Sequence, residues 1–216
     1  MARKVPITEQ RVVLSDVSWQ QFEKLVAELG PDRQTRLTYL RGKLEMMTPV
    51  EAHERCRKLL DSLILMLTDE LAIPLTVLQP IALIQPELGC ATEPDACYYL
   101  EEQPAVRELD LSQELPPDLV VEVALTRSNI DKLPIYAVLG IPEVWRYVTT
   151  ADEDLMLKGQ LSIYHLEDED YLEQPRSEAF PFLSTARVQE FMEQSDSMSL
   201  SASLRLLRAW IQERQR

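Results

Sequence analysis

Residues 119–125 read Leu-Val-Val-Glu-Val-Ala-Leu. Six of the seven are apolar, valine stands at both odd and even positions, and the run has the length of a strand rather than a helix. Such a segment is covered on both faces and belongs in the middle of a sheet with helices on either side. Glu122 breaks the run. A carboxylate among branched neighbours is too expensive to bury as an isolated charge, so it must be neutral, paired or bound to a cation.

Working outward, the C-terminal flank gives a helix over Asp131–Leu139, with Pro134 in its first turn and Gly140 closing it. A strand, Glu143–Val148, follows. Leu155–Leu157 and Leu161–Leu166 then read as a hairpin around Lys158-Gly159-Gln160, followed by an acidic loop at Glu167–Asp170 and helices over Thr185–Glu193 and Met198–Gln212. On the N-terminal flank come a strand at Ala96–Leu100, a polar loop over 101–118 and a strand at Leu75–Ile84 carrying Pro80 at an edge or bulge. Before these stands a long helix over Val50–Leu71, with Leu59, Leu60, Leu63, Ile64, Leu67 and Leu71 on one stripe. Arg36–Leu40 and Lys43–Met47 form a hairpin turning at Arg41-Gly42, and Ser18–Leu29 is a short amphipathic helix with Asp16 or Ser18 as its N-cap. The fold class is therefore α/β, a central mixed sheet flanked by helices, expected as one domain over 1–216 with its core at about 18–166 and a C-terminal hairpin and helices over 167–216.

Composition agrees with a globular chain: 216 residues, 45% hydrophobic and 27% charged. No apolar run approaches the roughly 20 residues that span a bilayer, and the N-terminus lacks the apolar core of a secretory signal, so a cytoplasmic protein with no membrane partner is expected. Cys56, Cys90 and Cys97 are odd in number and lack C-x-x-C spacing, so neither a disulfide framework nor a zinc site is suggested. A net charge of −14 argues against a protein that holds nucleic acid by charge alone. The charge is unevenly spread, +3 over residues 1–60 and −17 over 61–216, so an anionic substrate would meet its basic contacts in the N-terminal third or through a divalent metal.

Asp95, within Glu93-Pro94-Asp95, enters a strand 27 residues before Glu122. Two carboxylates on adjacent strands make a hard oxygen site suited to Mg2+ or Mn2+. The phrases RLTYLRGKLEMMTPVEAHE at 36–54, EPDACYY at 93–99 and PDLVVEVALTRSNIDKLPIYAVLGIPEVWRY at 117–147, in that order, resemble the PD-(D/E)XK nuclease superfamily, and within it the Uma-type restriction endonuclease family. The resemblance implies a restriction-endonuclease-like fold and Mg2+-dependent hydrolysis of DNA phosphodiester bonds. It makes Asp95, Glu122 and the Val123 carbonyl the metal ligands. The lysine of the superfamily pattern falls two residues after the glutamate, where this chain has Ala124. The Uma-type pattern instead places a lysine four residues before the tyrosine of Y-A-x-x-G-(I/V)-P-E, and here that is Lys132 before Tyr136. Glu45 and His53 match family phrases in a metal-supporting or substrate-facing role.

Plainer readings stand beside these. Glu122 could pair with Arg127 or Arg146, Lys132 could be a solvated helix residue, and His53, between Glu51 and Glu54 at a helix start, could serve the charge balance of that first turn. Trp145 and Tyr147 fit core packing, and His165 fits the surface. For the whole chain, two further functions remain open: a nuclease-fold module that binds nucleic acid or protein without turnover, and a homodimeric or larger scaffold whose C-terminal helices pair subunits.

Overall fold

The computed structural model describes residues 8–215 apart from 31–32, 79–80, 103–107 and 152–156. Among the described residues are two mixed six-stranded sheets and five α-helices.

The first sheet is built on the expected hairpin. β1 (Gln10–Leu14) pairs with β3 (Lys43–Thr48), which pairs with β2 (Arg36–Leu40) through a two-residue turn. Arg41 and Gly42 have φ of 43° and 91°, the positive values that a turn matching the strand twist requires. β6 (Cys90–Thr92), β5 (Ala82–Gln85) and β8 (Glu108–Asp110) complete the order β1-β3-β2-β6-β5-β8. Helix α1 (Trp19–Leu29) covers this sheet, with Phe22 packed on Tyr39, Leu37 and Leu44. Its N-cap is Ser18, joined to Gln21 in a reciprocal capping box.

The second sheet has the order β12-β11-β10-β9-β7-β4. β9 (Leu119–Ala124) holds the interior place expected of its sequence, antiparallel to β7 (Ala96–Tyr99) and parallel to β10 (Glu143–Ala151). β4 (Thr76–Leu78) lies beyond β7, while β11 (Leu157–Glu167) and β12 (Asp170–Gln174) extend the other side. Leu119, Val121 and Val123 face the long helix α2 (Glu51–Leu71), which buries Leu59, Leu60, Leu63, Ile64 and Leu67. The C-terminal helix α5 (Leu200–Arg214) packs against α2, and α4 (Thr185–Ser197) packs against β11 as well as against α2 and α5. Val120 faces the opposite side, with Cys97, Tyr99, Val144 and the short helix α3 (Leu133–Val138). Strand alternation puts Glu122 on that side too.

Several expectations are revised. Leu75–Ile84 is not one strand: β4 and β5 belong to different sheets, joined through 79–80, so the Pro80 reading falls outside the described residues. Lys158-Gly159-Gln160 is not a turn but lies inside β11, with Gly159 opposite Thr149. Its glycine has a packing cause, since a Cβ there would overlap the Tyr147 ring. β1, β6, β8 and β12 were not expected, each being short, and α3 begins at Leu133 rather than Asp131. Glu167–Asp170 is the tight turn between β11 and β12. His165 is half-buried beside Glu143, 3.6 Å away, rather than a surface residue. Trp145 and Tyr147 are core, as expected, and all three cysteines are free and buried.

Candidate active site at the seam between the sheets

β6, in the first sheet, ends at Thr92 and β7, in the second, begins at Ala96, so Glu93-Pro94-Asp95 is a crossover between the sheets. Pro94 has no N–H to give a ladder, which suits a position where pairing changes hands. Glu93 stays with the first sheet: its carboxylate accepts from the Leu37 amide at 2.9 Å and pairs with Arg33. Asp95 turns to the second. Its Oδ2 accepts the Val123 amide at 2.7 Å, and Oδ1 accepts His53 Nε2 at 2.8 Å. Arg36 Nε lies 2.8 Å from the same oxygen, out of line for a hydrogen bond. Asp95 is almost wholly buried, which would raise its pKa, yet the charges of His53 and Arg36 outweigh this and hold it below the usual carboxylate range.

Glu122 stands one step beyond the Ala96–Val121 rung of the β7–β9 ladder, toward Asp95. Its partners come from α3 and the residue before it. Lys132 Nζ donates to both oxygens, at 2.8 and 2.9 Å, and the Tyr136 hydroxyl donates to Oε1. Tyr136 is fully buried, and burial with the Glu122 charge drives its pKa far up, fixing it as a donor. Lys132 is therefore a mostly buried partner of Glu122 rather than a free helix-surface residue, and its charge also stabilises ionised Asp95. Neither Arg127 nor Arg146 is needed to partner Glu122, although Arg146 lines the same small cavity of about 40 Å³ with Arg11, Lys132 and Tyr136. Asp95 lines a different and larger cleft of about 620 Å³, with Arg33, Arg36, Glu54 and Arg57.

Glu45 projects from β3 and accepts Arg11 Nη1 at 2.6 Å, Ser128 Oγ at 2.7 Å and the Asn129 amide at 2.7 Å. Burial would raise its pKa, but these donors lower it. It thus holds the turn that leads into Lys132. His53, fully buried on α2, bridges two carboxylates, with Nδ1 2.6 Å from Glu9 Oε1 and Nε2 on Asp95. A ring between two acceptors must donate from both nitrogens; burial opposes that charge, but Asp95 and Glu9 prevail and raise the His53 pKa to about 9. Glu9 itself, despite burial, is lowered to about 2 by its hydrogen bonds from His53, Thr126 and Leu125.

Sequence reasoning missed Glu9, Arg11, Arg36 and the role of Tyr136. The basic bias of the N-terminal third was the available signal for the two arginines; a lone glutamate at position 9 gave none.

Whether these residues suit a divalent cation turns on their donors. Both carboxylates are hard oxygen ligands, and each offers about four lone-pair sites. Asp95 meets His53, Val123 and Arg36, and Glu122 meets two Lys132 contacts and Tyr136, so each keeps room for one more bond. Among the described residues no group of three His, Cys, Asp or Glu side chains is already gathered to hold a metal. The donors fit in kind, and the cation would need the remaining positions or the place of a neighbouring cationic side chain.

A model of the Uma2 family, described as "Putative restriction endonuclease", matches residues 19–201. The chain belongs to the Uma2 family. The match spans the hairpin, α2, the Asp95 crossover, β9 and α3, and ends at the start of α5. Glu9 and Arg11 lie before the segment matched by Uma2. No curated protein matches the chain, and no helix among the described residues is long and apolar enough to cross a membrane.

Proposed function

We propose that this chain is a divalent-metal-dependent endonuclease acting on DNA, with Asp95 and Glu122 as metal ligands and Lys132 as the catalytic cation. The observation that carries the reading is the two-pronged contact of Lys132 Nζ with Glu122, at 2.8 and 2.9 Å. It supplies, from the start of α3, the positive charge that Ala124 cannot give from β9. The Uma2 match supports the same reading. Mg2+ or Mn2+, when bound, would polarise a phosphoryl oxygen and turn bound water into a nucleophile near neutral pH.

The protein's own contribution is positioning and charge. His53 and Arg36 keep Asp95 ionised and fixed against the Val123 amide. Tyr136 orients Glu122 from a site closed to water. Lys132 is placed to stabilise negative charge developing on a phosphoryl group beside Glu122, and Arg11 and Arg146 line the cavity it faces. A second reading, a nuclease-fold module without turnover, draws support from the internal partners that already occupy most of the bonding positions of both carboxylates.

A cleavage assay on mixed single- and double-stranded DNA, with Mg2+ or Mn2+ and an Asp95→Ala control, separates them. Metal-dependent cleavage lost in the variant supports the enzyme; salt-sensitive binding with no cleavage at any metal concentration supports the module.

A further inference from the structure

Glu9 precedes β1 by one residue, and the β1–β3 ladder begins only at Gln10, so anchoring the strand does not require it. Its side chain is nevertheless fully buried and accepts five hydrogen bonds: His53 Nδ1 and Thr126 Oγ1 at 2.6 Å, Arg11 Nη2 at 2.7 Å, and the amides of Leu125 and Thr126 at 3.1 and 3.2 Å. These contacts close a ring. From Glu9 it passes through the His53 imidazole to Asp95, from Asp95 to the Val123 amide, and along β9 back to Leu125 and Glu9. Glu122 is the residue before Val123 and so rides on the same closed path. A second arm runs from Glu9 through Arg11 to Glu45 and the Ser128-Asn129 turn, which leads to Lys132.

We propose that Glu9 is the positioning residue of this site, holding Asp95 against Val123 through the His53 ring and fixing the end of β9 that carries Glu122. A histidine held at both nitrogens cannot rotate about its ring bond, so the placing of Glu9 is transmitted to the Asp95 carboxylate. The clamp comes from outside the stretch matched by the family, which starts at residue 19. Its importance for catalysis rests on the endonuclease reading; its physical content rests on the contacts alone.

The test is the amide of Val123, followed by NMR in the full chain with Glu9→Gln. The substitution keeps the shape of the side chain but cannot accept from all five donors. The Val123 amide proton should shift and exchange about tenfold faster, the loss of one charge-assisted hydrogen bond, while Val120 in the middle of β9 stays as in wild type. A purely structural role at the β1 end would change overall melting but leave Val123 and Val120 moving together or not at all, and that result overturns the proposal. Glu9→Asp, one methylene shorter, should restore less than half of the Val123 protection. Should Glu9→Gln fail to fold, wild type decides: both His53 ring N–H protons must be visible in slow exchange at neutral pH, and a ring showing one only overturns the bridge. In the cleavage assay Glu9→Gln should lower kcat about tenfold or more with KM for DNA unchanged; unchanged kcat beside a displaced Val123 amide overturns the functional part. If Val123 responds as stated but wild type cleaves nothing, the positioning stands and the endonuclease reading falls.

Discussion

Lys132 straddles Glu122, one ammonium group within 3 Å of both carboxylate oxygens. The chain that lacks a lysine on the strand therefore brings one to the same carboxylate from the neighbouring helix start. That geometry changes what a neutral glutamine should do here.

Without a cationic partner, a Glu122 ionised among apolar neighbours and near Asp95 would make Glu122→Gln neutral or stabilising. With Lys132 and Tyr136 on it, the substitution should instead lower stability, by about 1 to 3 kcal/mol, because Lys132 retains some solvent contact and can partly rehydrate. Adding Lys132→Met should recover most of the loss, since the stranded charge is then gone. Denaturant melts of the two single variants and the double variant measure this; additive losses would mean that the pair is not an energetic unit.

Stability should form a plateau between two limbs of pH. Glu9 has its folded pKa lowered from 4.5 to about 2, so its contribution is complete above 4.5 and is lost as pH falls toward 2. His53 has its folded pKa raised from 6.5 to about 9, so its contribution is complete below 6.5 and is lost as pH rises toward 9. Melting temperature against pH should fall on both sides, and because each group is a partner of the other, Glu9→Gln and His53→Gln should each weaken both limbs. A profile level from pH 6 to 9.5 in wild type would contradict the bridged imidazolium.

Added Mg2+ or Mn2+ should raise the melting temperature, by the equivalent of about 1.4 kcal/mol at ten times Kd. Asp95→Ala should abolish the shift. Equal shifts in wild type and variant would place the cation elsewhere.

Gly159→Ala should cost about 1 to 3 kcal/mol, since the new methyl meets the Tyr147 ring in a packed strand pair. Pairing it with Tyr147→Leu should reduce the penalty. Ser18→Ala should cost about 1 kcal/mol by removing half of the α1 capping box.

Elements with a strong period were legible in sequence. The α2 stripe, the 36–48 hairpin and the doubly buried β9 carry their pattern over many residues, so local and tertiary preferences agree. β6 and β8 have three residues each and little pattern of their own; they exist because β2 and β5 offer them partners. The 157–167 strand was misread because glycine flanked by lysine and glutamine is ordinarily a turn signal, and only the ring of Tyr147 lying across it gives the glycine another cause. At the site, Asp95 and Glu122 stood out by residue type and spacing, and Lys132 through the family resemblance alone. Glu9 did not, because its partners are up to 117 residues distant, and no local pattern encodes a contact of that span.

The crossover from Thr92 to Ala96 also sets how this protein can change by insertion or deletion. β6 is pinned by β2 and β5, and β7 by β4 and β9, so neither strand can slide to absorb an added residue. With both ladders held in register, one extra residue beside Pro94 has to be accommodated within the crossover itself, displacing Glu93 from Leu37 or Asp95 from Val123. Length is therefore held fixed at this seam together with its two carboxylates: Pro94 should accept substitution more readily than Glu93, whose loss would strand Arg33 and the Leu37 amide.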